Sequence, residues 1–324
     1  MRRRLGLASL GVLALFALPL VVAAQSARVY RIGVVLQGGP YASAVDGLRE
    51  GLREQGLEEG KQFVFHVRDT KGDPSAVEAA ARSLEAEQVD VIVAVSTSVS
   101  LAVKRATKAV PIVFYAGTDP VTIGLVESFR KPGGRLTGVH FQGGGLTAKR
   151  LELLKELVPK LRRVVVFYRP DSPVAQQSVQ LARDGGRQLK VELVERPVAT
   201  ADDLRASVRA LRIGEADALL YVADAMVISQ SPLVIETALT KRLPTMFSER
   251  SSVASGALAA YGESYAAIGR LSATVQRILY GANPGDLPVE QADRFHLVIN
   301  LRTAKAIGLA IPQSVRARAD EVIE

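Results

Sequence analysis

The sequence predicts an α/β fold of two doubly wound lobes, and three observations carry that prediction. Apolar runs rich in Val and Ile alternate with segments of helical spacing along most of the chain, as expected for parallel strands covered by helices on both faces. The alternation breaks around Lys131-Pro132-Gly133-Gly134 and Gln142-Gly143-Gly144-Gly145, then restarts at Thr147. Strands of both halves empty into short polar turns, so hydroxyls and carboxylates gather at the C-terminal edges of two sheets, where open α/β sheets hold ligands. Two similar lobes facing each other across a hinged cleft account for all three.

The N-terminus precedes this pattern. Met1-Arg2-Arg3-Arg4 is a positive segment, residues 5–22 are an apolar core, and Val22-Ala23-Ala24 places small residues before a cut. Together they predict an export signal over residues 1–24, with a mature periplasmic chain that is not inserted in a membrane. The alternative, an uncleaved anchor, is disfavoured by Gly6, Gly11 and Pro19 within the apolar run. Cysteine is absent from the 324 residues, which excludes disulfides, thiol catalysis and a cysteine-linked lipid. The net charge of +8 includes the three leading arginines. Other basic residues interleave with acids, as at Arg49-Glu50 and Lys155-Glu156. That pattern argues against nucleic acid as a partner.

The first lobe is predicted from 28 to 140. A strand over 30–36 ends at Gln37-Gly38-Gly39-Pro40, and a helix over 42–55 is stopped by Gly56. After a strand over 63–67, Asp73-Pro74 starts a helix that runs to Ala86. The strand over 89–95 is apolar throughout and leads through Ser96-Thr97-Ser98 into a helix ending at Ala106. The strand over 112–115 leads into Gly117-Thr118-Asp119-Pro120, and a short strand over 136–139 precedes the glycines. Gly143, Gly144 and Gly145 permit large backbone rotations and are predicted to form the hinge.

The second lobe is predicted over 145–262. Its strands at 164–168, 191–194, 218–222, 245–247 and 258–261 alternate with helices. Three of the strands empty into Arg169-Pro170-Asp171-Ser172-Pro173, Ala223-Asp224-Ala225 and Ser248-Glu249-Arg250. A tail then returns, with residues 264–282 assigned to the first lobe and 290–324 to the second. It comprises a helix over 265–279, a strand over 295–299 and two short helical segments.

Candidate ligand residues follow from the strand ends. The helix after Ser96 leaves backbone N–H groups unpaired, and with the hydroxyls of Ser96, Thr97 and Ser98 these suit a small anion such as a carboxylate. Helix capping is the competing role for the same hydroxyls. Asp119 and Asp224 can accept from an ammonium or hydroxyl, or cap the helices that follow them. Asp171 and Ser248 occupy equivalent turns. Tyr41, Tyr115, Tyr168 and Tyr221 lie near strand ends, where a ring can stack on a ligand or pack in the core. His66, His140 and His296 show no metal-ligand spacing, and no nucleophile elbow, P-loop or dinucleotide fingerprint is present. No metal, cofactor or catalytic residue is therefore predicted.

Several motifs together resemble the ABC-transporter substrate-binding proteins of the TrpX-like group. They are Asp119-Pro120-Val121, Gly124-Leu125-Val126, Pro132 to Gly138 (PGGRLTG), Arg150 to Leu154 (RLELL), Ile278 to Gln291 (ILYGANPGDLPVEQ), Phe295 to Pro312 (FHLVINLRTAKAIGLAIP) and Arg318 to Glu324 (RADEVIE). The resemblance implies a type I periplasmic-binding-protein fold; a monomer is expected. It also implies a small-molecule ligand, an amino acid or related organic anion, enclosed by hinge closure and delivered to an ABC-transporter permease. Arg135 and His140 depart from the group's usual residues. Gln37 stands where a small hydroxyl is common, and would border the cleft. A sensory ligand-binding module is the main rival reading. A periplasmic α/β enzyme lacks its motifs, and a LacI-type regulator lacks its DNA-binding helices.

Overall fold

The computed structural model describes residues 28–141, 143–263, 269–292 and 294–324. The predicted export signal, residues 1–24, lies outside them. Among the described residues the chain forms two sheets. The first has the order β11-β5-β4-β3-β1-β2, built from β1 (Tyr30–Leu36), β2 (Phe63–Asp69), β3 (Val91–Val95), β4 (Ile112–Ala116), β5 (Leu136–His140) and β11 (Glu290–Gln291). Every pairing in it is parallel.

The second sheet has the order β13-β12-β10-β9-β8-β6-β7. Its strands are β6 (Arg163–Tyr168), β7 (Glu192–Pro197), β8 (Ala218–Leu220), β9 (Thr245–Phe247), β10 (Ala259–Gly262), β12 (His296–Asn300) and β13 (Glu321–Ile323). The β10–β12 pair alone is antiparallel, because the chain enters β12 from the other lobe.

The apolar runs are the central strands. Every residue of β3, β4 and β5 is buried, while the edge strands β2, after its buried Phe63, and β7 mix half-buried and exposed positions. Edge position explains why β2 carries Arg68 and Asp69 and β7 carries Glu192 and Glu195: one flank faces water. The helices Ala76–Ala86 and Thr97–Ala106 cover one face of the first sheet, and Ser43–Glu54 with Leu271–Leu279 cover the other. The doubly wound, two-lobed architecture predicted from the sequence is the observed one.

Three chain crossings join the lobes. They run from β5 into the helix Gly143–Leu157, from β10 into the helix Leu271–Leu279, and from β11 into β12. The predicted hinge glycines Gly143, Gly144 and Gly145 form the first turn of the helix that follows the first crossing, ahead of the predicted restart at Thr147. The first turn tolerates glycine because its N–H groups have no intrahelical partner to hold. Glu290 and Gln291, assigned from sequence to the second lobe, pair with Val139 and His140 in the first sheet. The predicted start of the tail helix at Tyr265 lies outside the described residues.

Candidate functional site

The C-terminal ends of β3 and β4 in one lobe face those of β6, β8 and β9 in the other. Between them lies a cavity with about 670 Å3 of atom-free space, part of it open at the mouth.

The first lobe contributes the start of the helix Thr97–Ala106. Ser96 is its N-cap, and the hydroxyl accepts from Val99 N at 3.3 Å. Ser98 Oγ lies 3.3 Å from Ser96 Oγ, and Thr97 Oγ1 accepts from Gly117 N at 2.9 Å. The latter bond ties the turn after β3 to the turn after β4, so both polar turns present to the cavity as one surface. Ser96 adopts φ 103° and ψ 158°, a conformation normally left to glycine. Helix capping and cavity lining coincide at this residue. Tyr41, Tyr115 and Phe141 complete this wall. The rings of Tyr115 and Phe141 pack 4.8 Å apart at 34°. Tyr115 donates its hydroxyl to Glu263 Oε2 at 2.8 Å, and Arg270 pairs with the same carboxylate at 2.8 Å.

The second lobe contributes Arg150, Ser172, Val174, Gln177, Ser178, Tyr221, Asp224 and Ser248. Arg150 is buried, and its Nε donates to Tyr261 O at 2.6 Å. Ser178 Oγ accepts from Ala223 N at 2.9 Å and lies 2.9 Å from Thr147 Oγ1. Tyr221 stacks on Phe247 at 5.9 Å and 10°. Its hydroxyl accepts from Asp224 N at 3.1 Å and donates to Asp224 O at 3.2 Å.

Asp224 is the buried carboxylate of the cavity. Oδ1 accepts from Met226 N at 2.9 Å and Val227 N at 3.1 Å, and Oδ2 accepts from Arg169 N at 2.8 Å. Burial pushes its carboxyl upward against the pull of these N–H groups and of Arg169. A cationic group placed beside it offsets that cost, since an opposite charge favours the ionised form.

Eight residues singled out in the sequence meet here: Tyr41, Ser96, Thr97, Ser98, Tyr115, Tyr221, Asp224 and Ser248. Four do not line the cavity. Gln37 is buried behind the wall, where its Oε1 accepts from Ser98 Oγ at 3.5 Å. Asp119 is exposed and accepts from Val121 N at 2.8 Å and Thr122 N at 3.1 Å, closing its own turn. Tyr168 turns outward and donates to Glu195 at 2.9 Å. Asp171 is exposed and pairs with Arg169.

Sequence reasoning missed Phe141, Arg150, Gln177 and Ser178. Arg150 had a readable signal. It lies four residues from both Leu146 and Leu154, on the apolar face of its helix, where a solvated charge has no place.

Comparison with known proteins gives the following matches. The family model described as ABC transporter substrate binding protein matches residues 31–323. A tyrosine-binding protein of Clostridioides difficile (strain R20291) is 31% identical over 267 residues, which is 82% of this chain and 76% of that protein. The structure of an ABC domain from Streptococcus pneumonia in complex with L-Trp is 25% identical, with a TM-score of 0.80 over 91% of this chain and all of that one. A ligand-free, open substrate-binding protein from Clostridium difficile is also 25% identical, yet its TM-score is 0.59, over 91% of this chain and 99% of that one. At equal identity and equal coverage of this chain, the overall superposition is closer on the L-Trp complex than on the open structure.

Proposed function

This chain belongs to the ABC transporter substrate-binding protein family, with a type I periplasmic-binding-protein fold, and from that premise we propose that its ligand is an amino acid with an aromatic side chain. Proteins of this family and fold capture a solute for an ABC importer and are typically not enzymes. The solute and a permease are accordingly the partners of this chain.

One observation carries the finer reading. A single cavity combines the N-terminus of a ten-residue helix, a buried carboxylate, a buried arginine and the rings of Tyr41, Tyr115, Phe141 and Tyr221. The helix N-terminus and the hydroxyls of Ser96, Thr97 and Ser98 suit a carboxylate. Asp224 suits an ammonium. The rings suit a flat side chain, each stacked pair contributing roughly 0.5–1.5 kcal/mol beyond burial. The tyrosine-binding relative and the L-Trp complex support the same choice. Binding draws the lobes together, because each holds part of the ligand and neither completes the site alone. Export as a free protein belongs to the same proposal and rests on the leader pattern of residues 1–24. An intact mass starting at Gln25, on protein taken from the periplasm, tests it.

Thermal unfolding against single amino acids tests the ligand class. L-Tyrosine, L-tryptophan or L-phenylalanine at about 100 times Kd adds about 2.7 kcal/mol of stability, which is roughly 4 °C for a chain of this size. L-Leucine and ribose serve as the aliphatic and sugar comparisons. A shift with L-leucine equal to that with the aromatic amino acids overturns the aromatic assignment. No shift with any amino acid removes the class.

A further inference from the structure

The three crossings all gather on one side of the molecule, at β5 and β11 of the first sheet and β10 and β12 of the second. Away from the crossings, the ends of β1 and β2, at the far edge of the first sheet, face the end of β8 in the second. Rotation about the crossings parts this rim, so contacts made there belong to the closed arrangement. At this rim the tight turn Gly39–Ala42 of the first lobe packs against the helix Ala225–Ser229 of the second. The turn at 70–73 meets the same helix end, where Gln230 Nε2 donates to Lys71 O at 3.5 Å. Arg205 holds the other end of that amide, donating to Gln230 Oε1 at 2.9 Å.

Two glycines make the approach possible. Gly39 has φ +59°, and a Cβ there would sit 2.8 Å from Ile228 O and 2.8 Å from Ser229 Cα. Both are backbone atoms that cannot swing aside. Gly72 has φ +86°, and a Cβ there would meet Ser229 Oγ and lie 3.4 Å from Ser229 Cβ. Other turns of the chain give a contrast. Gly60 has φ +83° with nothing within 4 Å of its missing Cβ, so glycine serves the turn alone. At 39 and 72 it serves the turn and also leaves room for the other lobe. Neither residue lines the cavity.

We propose that Gly39 sets solute affinity from outside the ligand site, by admitting the backbone of the second lobe when the cleft closes, and that Gly72 beside it leaves room for the Ser229 side chain at the same seam. The inference rests on the closure reading above and on no particular ligand. Side-chain strain at a positive φ is paid in open and closed forms alike, whereas the collision with residues 228 and 229 exists only in the closed one. An alanine at 39 therefore weakens binding, and an alanine at 60 does not.

The test has two arms. In the first, Gly39→Ala and Gly60→Ala are compared by calorimetric titration with L-tyrosine and L-tryptophan, alongside unliganded melting temperatures to confirm folding. Gly39→Ala is expected to raise Kd at least about tenfold and Gly60→Ala no more than about twofold. Equal effects overturn the proposal.

In the second arm, Gly72→Cys and Ser229→Cys are combined in this otherwise cysteine-free chain and oxidised. The spacing at this rim is close to that of a disulfide, so a cross-link between the two positions, found by peptide mass, is expected. Its absence with and without amino acid overturns the seam. If the wild-type chain binds neither amino acid, the aromatic reading falls, and the cross-link alone decides the seam.

Discussion

Ser96 does two things that pull against each other. Its backbone holds φ 103° and ψ 158° while its hydroxyl caps the helix through Val99 N. Strain of that kind costs about 1–3 kcal/mol, and the cap returns roughly 1 kcal/mol. Two substitutions separate the terms. Ser96→Ala loses the hydroxyl and keeps the strain, whereas Ser96→Gly loses the hydroxyl and relieves it. Urea unfolding of the unliganded protein should therefore rank glycine above alanine by about 1–3 kcal/mol. Both should bind an amino acid more weakly than wild type. Equal stability of the two variants would show that the backbone at 96 is unstrained. The three hydroxyls were legible in the sequence because an apolar strand ran directly into them. Asp119 and Asp171 had the same signature and do not line the cavity, for a local reason: an aspartate in a turn can close on nearby partners, and these two did. Nothing in the spacing separates a carboxylate that turns into the cavity from one that folds back. Asp224 itself caps a helix and still lines the site.

At the scale of elements, the site depends on how helices and strands are braced away from it. The helix Thr97–Ala106 points its N-terminus at the cavity, and Arg135 binds its other end. The guanidinium donates to Lys104 O, Thr107 O, Val110 O and Thr107 Oγ1 at 2.7–2.9 Å. This satisfies carbonyls that a helix end leaves open, and it gives the departure at Arg135 a structural role distant from the ligand. In the second lobe, Glu195 on β7 accepts from Arg183 on the helix Pro173–Leu189 at 2.7 Å through both oxygens, and from Tyr168 on β6. Arg183, then Tyr168, hold the Glu195 carboxyl below the ordinary glutamate value, against partial burial. A folded-state pKa below the unfolded one means stability that is present above the unfolded value and lost as pH falls through the folded one. Glu195→Gln should thus cost roughly 0.5–1 kcal/mol at pH 7, with the deficit fading below about pH 4. Urea unfolding at both pH values checks this, and an undiminished deficit in acid would show that packing, not charge, is lost. The long central strands were readable because burial on both faces leaves a continuous apolar run. β11 and β13 were not, since two or three residues carry no periodicity and tertiary pairing alone fixes them.

Taken whole, the molecule is two sheets whose polar ends share one enclosed space, and their apolar cores meet across it. Tyr41 and Tyr115 of the first lobe belong to the same buried cluster as Tyr221, Ile228 and Phe247 of the second. Water leaves that surface only when the lobes are together, so ligand and closure stabilise one another. Two lobes could be seen in the sequence because the strand and helix alternation runs twice. The return path of the tail could not, because a strand of two residues decides which sheet it joins before crossing. A mutual dependence of this kind predicts an uneven pattern of amide hydrogen exchange. At about 100 times Kd, amides whose opening requires the lobes to part should exchange up to about 100-fold more slowly. These are the first turn of Thr97–Ala106, the turn Gly39–Ala42 and the helix Ala225–Ser229. The outer strands β2 and β7 lie on the flanks of their sheets and should change least. Protection restricted to one lobe would mean that the ligand binds without closure. Equal protection over the closing rim and the outer strands would mean that it stabilises the fold as a whole. Slowing at the rim and at the helix start together, with the outer strands unmoved, is the result that only a clamp produces.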